Sequence, residues 1–330
     1  MQRPTVFLHG GWRCGSTYIW NKFRARDDVL AFYEPFNERL ARCTPAAILA
    51  DTPHTWDSRH PQLAAPYFAE YLPLINGRGV ARYEDRFAVR RYFVPTQQPL
   101  AEAAYLASLV RLAEDVGKQA VLGFSRSLGR VGAIKRIFGG SHVVLTRDPV
   151  QQWLSTRAQR VKRGNPYFEI GHLMILALAP RLSIAGRIAH WLRIPHLRFG
   201  SFGHHYRLLR RRFEPLDDEL SCRAFTAVYM LSYMKALRHA DVVVDVDRLS
   251  HSRSYRTILS SALRHATGVE LDFADCKLPA HHAIDASVDV AAIQREVAER
   301  IRMEQPDAQP ELVYGMDYAG FTSTAAPRLE

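Results

Sequence analysis

Hydrophobic positions along the chain follow two rhythms. Short β-branched or apolar runs at residues 5–9, 120–124 and 142–146, and again at the start of 240–249, read as strands. Apolar residues at helical spacing follow the first run at 18–23 and recur at 101–116, about 223–239, 254–266 and 288–303. A further helix opens at Pro149, in the early position where proline is tolerated, and Gly268 closes the one before it. Between these elements, residues 51–100 hold many Pro, Tyr and Arg residues and read as loops with short helices. Beyond Gln305 the Pro, Ala, Thr and Ser content reads as an irregular tail, 305–330. Strands alternating with helices predict one α/β domain over 1–330, with a mainly parallel central sheet flanked by helices.

At 330 residues, 47% hydrophobic and 23% charged, the chain can bury a substantial core, which excludes a disulfide scaffold or a disordered chain. Charge adds more. The net charge is +11, and residues 157–212 alone carry twelve Lys or Arg against one acid, Glu169, which accounts for the whole surplus. An anionic partner meeting this stretch is expected. Cys14, Cys43, Cys222 and Cys276 are widely separated, with no metal-ligand spacing, and fit a reducing compartment. Residues 1–9 leave no room for a secretion signal, and the most apolar stretch, 173–179, ends at Pro180 and Arg181, whereas a membrane span needs roughly 20 apolar residues. A cytoplasmic protein is expected.

The first strand runs into Gly10-Gly11-Trp12-Arg13-Cys14-Gly15-Ser16-Thr17 and then into a helix. A helix N-terminus emerging from a glycine loop offers unpaired N–H donors and a positive dipole end, both favourable to an anion. The spacing from Gly10 to Gly15 nearly matches the phosphate-binding pattern GxxxxGK followed by Ser or Thr, but Ser16 stands in place of the lysine that neutralises the β and γ phosphates of a nucleoside triphosphate. The loop suits a shorter anionic group, with Arg13 supplying a cation earlier. A ligand-free strand-to-helix turn would also use these glycines. A second anion site lies in SHVVLTRDPVQQWLS: Arg147 ends a strand, and Ser155, eight residues on, lies roughly two helical turns down, so one anion could be gripped by both. Ligands of open α/β sheets bind outside the carboxyl ends of strands. Two equipped ends imply a ligand with two separated anionic groups.

These residues resemble the sulfotransferases that use 3′-phosphoadenosine 5′-phosphosulfate (PAPS). WRCGSTYIW is similar to that family's 5′-phosphosulfate loop, and RDPVQQWLS to its 3′-phosphate motif, an arginine with a proline two and a serine eight residues on. FRARDDVLAFYEPFNERL resembles the segment after the loop in the carbohydrate sulfotransferase branch, and 240–270 resembles a later strand-and-helix unit, so the likeness touches about a third of the chain. It implies PAPS as co-substrate. Arg13 then lies at the leaving phosphate, Cys14, Gly15, Ser16 and Thr17 form the phosphate cradle, Tyr18 takes an adenine-stacking position, and Arg147 with Ser155 clamps the 3′-phosphate. Cys14 departs from the usual serine, and its place beside Arg13 at a helix N-terminus raises the expectation of a reactive thiol. No Arg-Lys-Gly element is seen near the C-terminus, which points toward the carbohydrate branch.

The chemistry so implied is transfer of a sulfuryl group to a hydroxyl of a saccharide or glycolipid, in a bacterial cytoplasmic enzyme of polysaccharide biosynthesis. Glu34, in Tyr33-Glu34-Pro35, is the expected general base and Arg13 the residue that stabilises the leaving group; pairing of Glu34 with an arginine is the structural alternative. His9, His54 and His60 are alternative bases. No metal is expected. Residues 161–215 match no family element and read as a helical basic insertion for acceptor recognition. Its apolar face with an arginine fringe suits an anionic membrane surface or an anionic glycan, and equally a core helix pair. Nucleic acid is not an expected partner, because no recognition motif accompanies Arg210-Arg211-Arg212. The rival readings are a P-loop small-molecule kinase, which lacks its lysine here, and a noncatalytic nucleotide-binding, membrane-associated protein.

Overall fold

Five parallel strands form one sheet in the computed structural model, which describes residues 3–51, 63, 65–277, 288–310 and 313. They are β1 (Val6–His9), β2 (Val29–Tyr33), β3 (Gln119–Phe124), β4 (Ser141–Thr146) and β5 (Val242–Asp245), in the order β2-β3-β1-β4-β5. In register, Val6 lies opposite Val121 on one side and Ser141 on the other. Every residue of β1, β3, β4 and β5 is buried, as expected of parallel strands covered on both faces. The sequence had marked all of them except β2, a strand that fills the stretch between the first helix and Glu34.

The α-helices are α1 (Ser16–Arg24), α2 (Pro45–Leu49), α3 (Ala103–Asp115), α4 (Val131–Phe138), α5 (Pro149–Arg163), α6 (Tyr167–Ala177), α7 (Ile184–Trp191), α8 (Phe202–Arg212), α9 (Asp218–Ala236), α10 (Val246–His251), α11 (Arg253–Thr267) and α12 (Val290–Glu304). Local chemistry fixes their ends. Asp148 caps α5 by accepting from the Gln151 N–H, Pro149 opens it, and Gly164 closes it in the left-handed region. Ser183, Ser201 and Asp217 cap α7, α8 and α9 in the same way.

Two apolar clusters hold these elements. One surrounds the sheet through Phe7, Trp20, Phe23, Phe32 and Leu122, and the other is helical, built from α6, α9 and α12 with Trp12 and Trp153. Residues 161–215 supply α6 to the second cluster: α6 is buried from Glu169 to Ala177, so of the two readings given for this apolar run the core helix is the one that holds. Glu169 is spent inside as well. It accepts from Arg160 of α5 at 2.8 Å and from Ser221 of α9 at 2.6 Å, joining three helices at a carboxylate 1% exposed.

Trp12 ties the helical cluster to the loop after β1. A Cβ on Gly171 of α6 would lie 2.7 Å from the Trp12 ring, so only glycine lets the helix rest on the indole. Gly171→Ala is therefore expected to cost about 1–3 kcal/mol of stability through overpacking, measured by urea unfolding, whereas Gly164→Ala, with open space around it, reports only backbone strain.

Candidate functional site

The strand order sets where a ligand can enter. β1 and β4 are neighbours, but the chain leaves β1 toward β2 on one side and leaves β4 toward β5 on the other. Their carboxyl ends therefore open a crevice between diverging connections, the place where open α/β sheets bind ligands. The first loop and Arg147 both lie at that crevice.

Gly15 caps α1 with φ 89°, a conformation that glycine adopts freely, and a Cβ there would stand 3.0 Å from Val246. No side chain caps α1 and its first turn has no acid, so the helix end presents its N–H groups and dipole to the crevice. Ser16 and Thr17 open the helix; the Thr17 hydroxyl is 3.2 Å from that of Tyr33. Tyr18 packs beside Phe273 and donates its hydroxyl to Asp275 at 2.7 Å, which fixes its ring. Cys14 departs from the expectation of a reactive thiol: it is fully buried and burial pushes its thiol up to about 11, which disfavours the thiolate.

The two motifs meet. Arg147 donates to the Arg13 carbonyl at 2.8 Å, and the Arg13 Nε donates to the Ser155 hydroxyl at 3.1 Å. Gln152 donates to the Trp12 carbonyl at 2.8 Å, so strand end and α5 together hold the loop by its backbone. Arg147 Nε is buried without a hydrogen-bond partner and lies 3.8 Å from Asp247 Oδ1. Five described non-glycine residues have positive φ, and Arg13 (67°) and Glu34 (41°) are two of them. Such conformations cost of order 1–3 kcal/mol and persist where surrounding contacts over-determine them.

Glu34 follows β2. Its N–H donates to the Gly123 carbonyl at 2.7 Å, Asn37 donates to its carboxylate at 3.0 Å, and Arg126 stands 3.9 Å away. Arg126, at the end of β3, is a member of the site that the sequence reading missed. It is 1% exposed, donates to Glu38 and to the Tyr167 hydroxyl, each at 2.6 Å, and lies over the Trp12 and Phe202 rings. Tyr167 in turn donates to Glu38 at 2.6 Å. Burial opposes ionisation of Glu38, but the Arg126 charge and the Tyr167 hydrogen bond outweigh it and hold the carboxyl below 4.5. Beside this network the half-buried rings of Tyr167 and Phe168 lean on Trp12, with the Arg13 guanidinium over Phe168 at 5.6 Å. The crevice thus has one cationic wall and one aromatic wall, the second supplied by the start of α6.

His9 is fully buried and has no lone pair to offer. His142 Nε2 lies 2.9 Å from the Gly139 carbonyl and must carry its hydrogen, so His142 Nδ1 accepts from His9 Nε2 at 3.0 Å, and His9 Nδ1 accepts from Ser127 at 2.7 Å. Burial keeps both rings neutral, His9 well below 6.5 and His142 at about 4. His54 and His60 lie outside the described residues. Among the described residues no three His, Cys, Asp or Glu side chains gather to hold a metal. Behind the loop, a cavity lined by Trp12, Ser125, Gln152 and His172 offers about 20 Å³ to the centre of a water-sized sphere. One water needs about 10–15 Å³, so this space cannot take a nucleotide.

No family model matches the chain, and no curated protein matches it. Among solved structures, a sulfotransferase from Alicyclobacillus acidocaldarius is similar over 92% of this chain and 96% of that one, at 13% identity and a TM-score of 0.36. A likeness of that size carries no argument about this chain.

The Arg126 network makes a stability prediction with a sign. A carboxyl held below its ordinary value in the folded state contributes stability above pH 4.5 and loses it as the pH falls through the folded value. Glu38→Gln leaves the buried Arg126 charge without its carboxylate and is expected to cost about 3–5 kcal/mol at pH 7. Urea titrations of both proteins should show that gap narrowing at acid pH.

Proposed function

We propose that the chain is a sulfotransferase that moves a sulfuryl group from PAPS to a hydroxyl of a saccharide or glycolipid. The observation that carries this reading is the direct meeting of Arg13 with Arg147 and Ser155, which puts the cations of two anion motifs at one crevice within reach of a single adenosine nucleotide. Ser16 in place of lysine suits a 5′-phosphosulfate better than a triphosphate. Arg147 Nε makes no hydrogen bond, its nearest anionic group being Asp247 at 3.8 Å, which leaves the guanidinium hydrogen-bonding capacity to offer a phosphate.

In this reading Gly15, Ser16 and Thr17 turn backbone N–H groups toward the 5′-phosphate, and the Tyr18 ring flanks the adenosine. Arg147 and Ser155 hold the 3′-phosphate, Ser155 exchanging its present bond from Arg13 for one to the nucleotide while one Arg147 nitrogen keeps the Arg13 carbonyl. The Arg13 guanidinium faces the oxygen on which charge grows as its bond to sulfur breaks. Glu34, oriented by Asn37, takes the proton of the acceptor hydroxyl as that oxygen bonds to sulfur, and adenosine 3′,5′-bisphosphate leaves. Tyr167 and Phe168 give the acceptor two flat, half-exposed rings, and the Tyr167 hydroxyl is already committed to Glu38. Positioning and electrostatics supply the catalysis, as in phosphoryl transfer.

Calorimetric titration with adenosine 3′,5′-bisphosphate against ATP tests the donor site. The bisphosphate should bind and ATP should bind far more weakly, with Arg147→Ala and Ser155→Ala each lowering bisphosphate affinity about 10- to 100-fold. Glu34→Gln should leave that affinity unchanged while lowering release of the bisphosphate from PAPS, in the presence of a saccharide acceptor pool, about 10²- to 10⁴-fold. The present bonds of Arg147 and Ser155 to Arg13 favour one rival, a brace that merely shapes the loop. On that reading Ser155→Ala lowers the melting temperature and leaves nucleotide affinity untouched.

A further inference from the structure

With α6 consumed by the core, two apolar side chains of the basic stretch still stand almost wholly in water, beyond the partly exposed Val161 and Leu208. Leu182, in the turn between α6 and α7, is 88% exposed, and Phe199, between α7 and α8, is 85% exposed. The two turns are neighbours. Leu197 donates its N–H to the Ala177 carbonyl at 2.8 Å, and His196 lies close enough to both Arg181 and Arg198 for each guanidinium to add to the depression of its pKa, burial being the larger cause. Each protruding apolar residue directly follows an exposed arginine: Arg181 before Leu182, and Arg198 before Phe199. Arg193 is exposed on the second of these connections, and Arg207 is exposed on α8. Among the described residues none of these four arginines is paired with a carboxylate. The acids nearby are engaged: Glu304 by Arg187 and Arg300, and Asp85 by the Phe202 N–H.

We propose that this surface docks the protein on an anionic lipid bilayer, with Leu182 and Phe199 entering the headgroup boundary and Arg181, Arg193, Arg198 and Arg207 lying against lipid phosphates. The pairing of the two kinds of side chain is the argument. Arginines alone would serve any polyanion, but a leucine and a phenylalanine held almost fully in water on adjoining turns gain from an apolar phase, and a bilayer supplies that phase directly beneath its phosphates. Arginine reaches the headgroups while its stem lies along the apolar boundary. The surface is rigidly backed, since Arg187 donates to the Leu182 carbonyl at 2.6 Å and Arg90 to the Arg198 carbonyl at 2.6 Å, so the tips are presented by fixed backbone. Docking does not depend on the sulfuryl-transfer reading, and its measurement needs no turnover.

The test is co-sedimentation of the full chain with vesicles of phosphatidylcholine alone and of phosphatidylcholine with about 30% phosphatidylglycerol. Binding is expected to the anionic vesicles only, and to weaken about tenfold or more at about 0.5 M salt as the charges are screened. Leu182→Ser/Phe199→Ser and, separately, Arg181→Glu/Arg198→Glu should each reduce binding about tenfold; all four positions are exposed, so the fold should be kept, as checked by thermal unfolding. Equal binding to both vesicle types, or anionic-vesicle binding unchanged in Leu182→Ser/Phe199→Ser, would overturn the proposal. So would binding to a soluble anionic polysaccharide that displaces the vesicles and is indifferent to the two serine substitutions, which would make this a glycan surface.

Discussion

The carbonyl oxygens of Trp12 and Arg13 hold the site together. A loop that turns its N–H groups outward to meet an anion must turn some carbonyls inward, and buried carbonyls need donors. Gln152 and Arg147 supply them from the adjoining strand end and helix. That single demand explains why the two motifs, 134 residues apart, are inseparable in space. It also explains why Arg13 can sit in left-handed backbone: its carbonyl is held by one side chain, and its own side chain by another.

Around this point the charges are arranged in matched sets. Glu38 and Arg126 neutralise one another beneath the aromatic wall, and Glu169 gathers Arg160 and Ser221 behind it. Buried ions of this kind contribute little net stability once desolvation is counted, and their value lies in geometry: removing one partner strands the other. Arg126 therefore locates the start of α6 relative to the ends of β2 and β3, and so sets how far the Tyr167 and Phe168 rings stand from Glu34. Among the described residues Arg181, Arg193, Arg198 and Arg207 have no such carboxylate and lie outside, on and beside the turns flanking α7.

Much of this could be read from residue order alone because the strands are buried on both faces. Continuous runs such as Val6–His9 and Ser141–Thr146 have no other explanation at their length. The anion loop and the RDP segment were legible because their chemistry is local, set by residues within one turn or one helix. β2 escaped because acids precede it and Glu34-Pro35 follows, so it passed for part of a longer motif. Arg126 escaped for a different reason: its partners Glu38 and Tyr167 stand 88 and 41 residues away, and no local pattern announces an ion pair closed by the fold. For α6, an apolar helix looks the same in sequence whether it faces lipid or other helices, and the distant α9, with α7 and α8, decides it.

Cys14 carries a consequence for the conditions under which the crevice stays intact. Burial pushes the thiol up to about 11, which disfavours its thiolate at neutral pH, and the residue is sealed from solvent. The thiolate is the form that attacks peroxides, disulfides and alkylating agents, so the residue at the centre of the anion loop is shielded from all three.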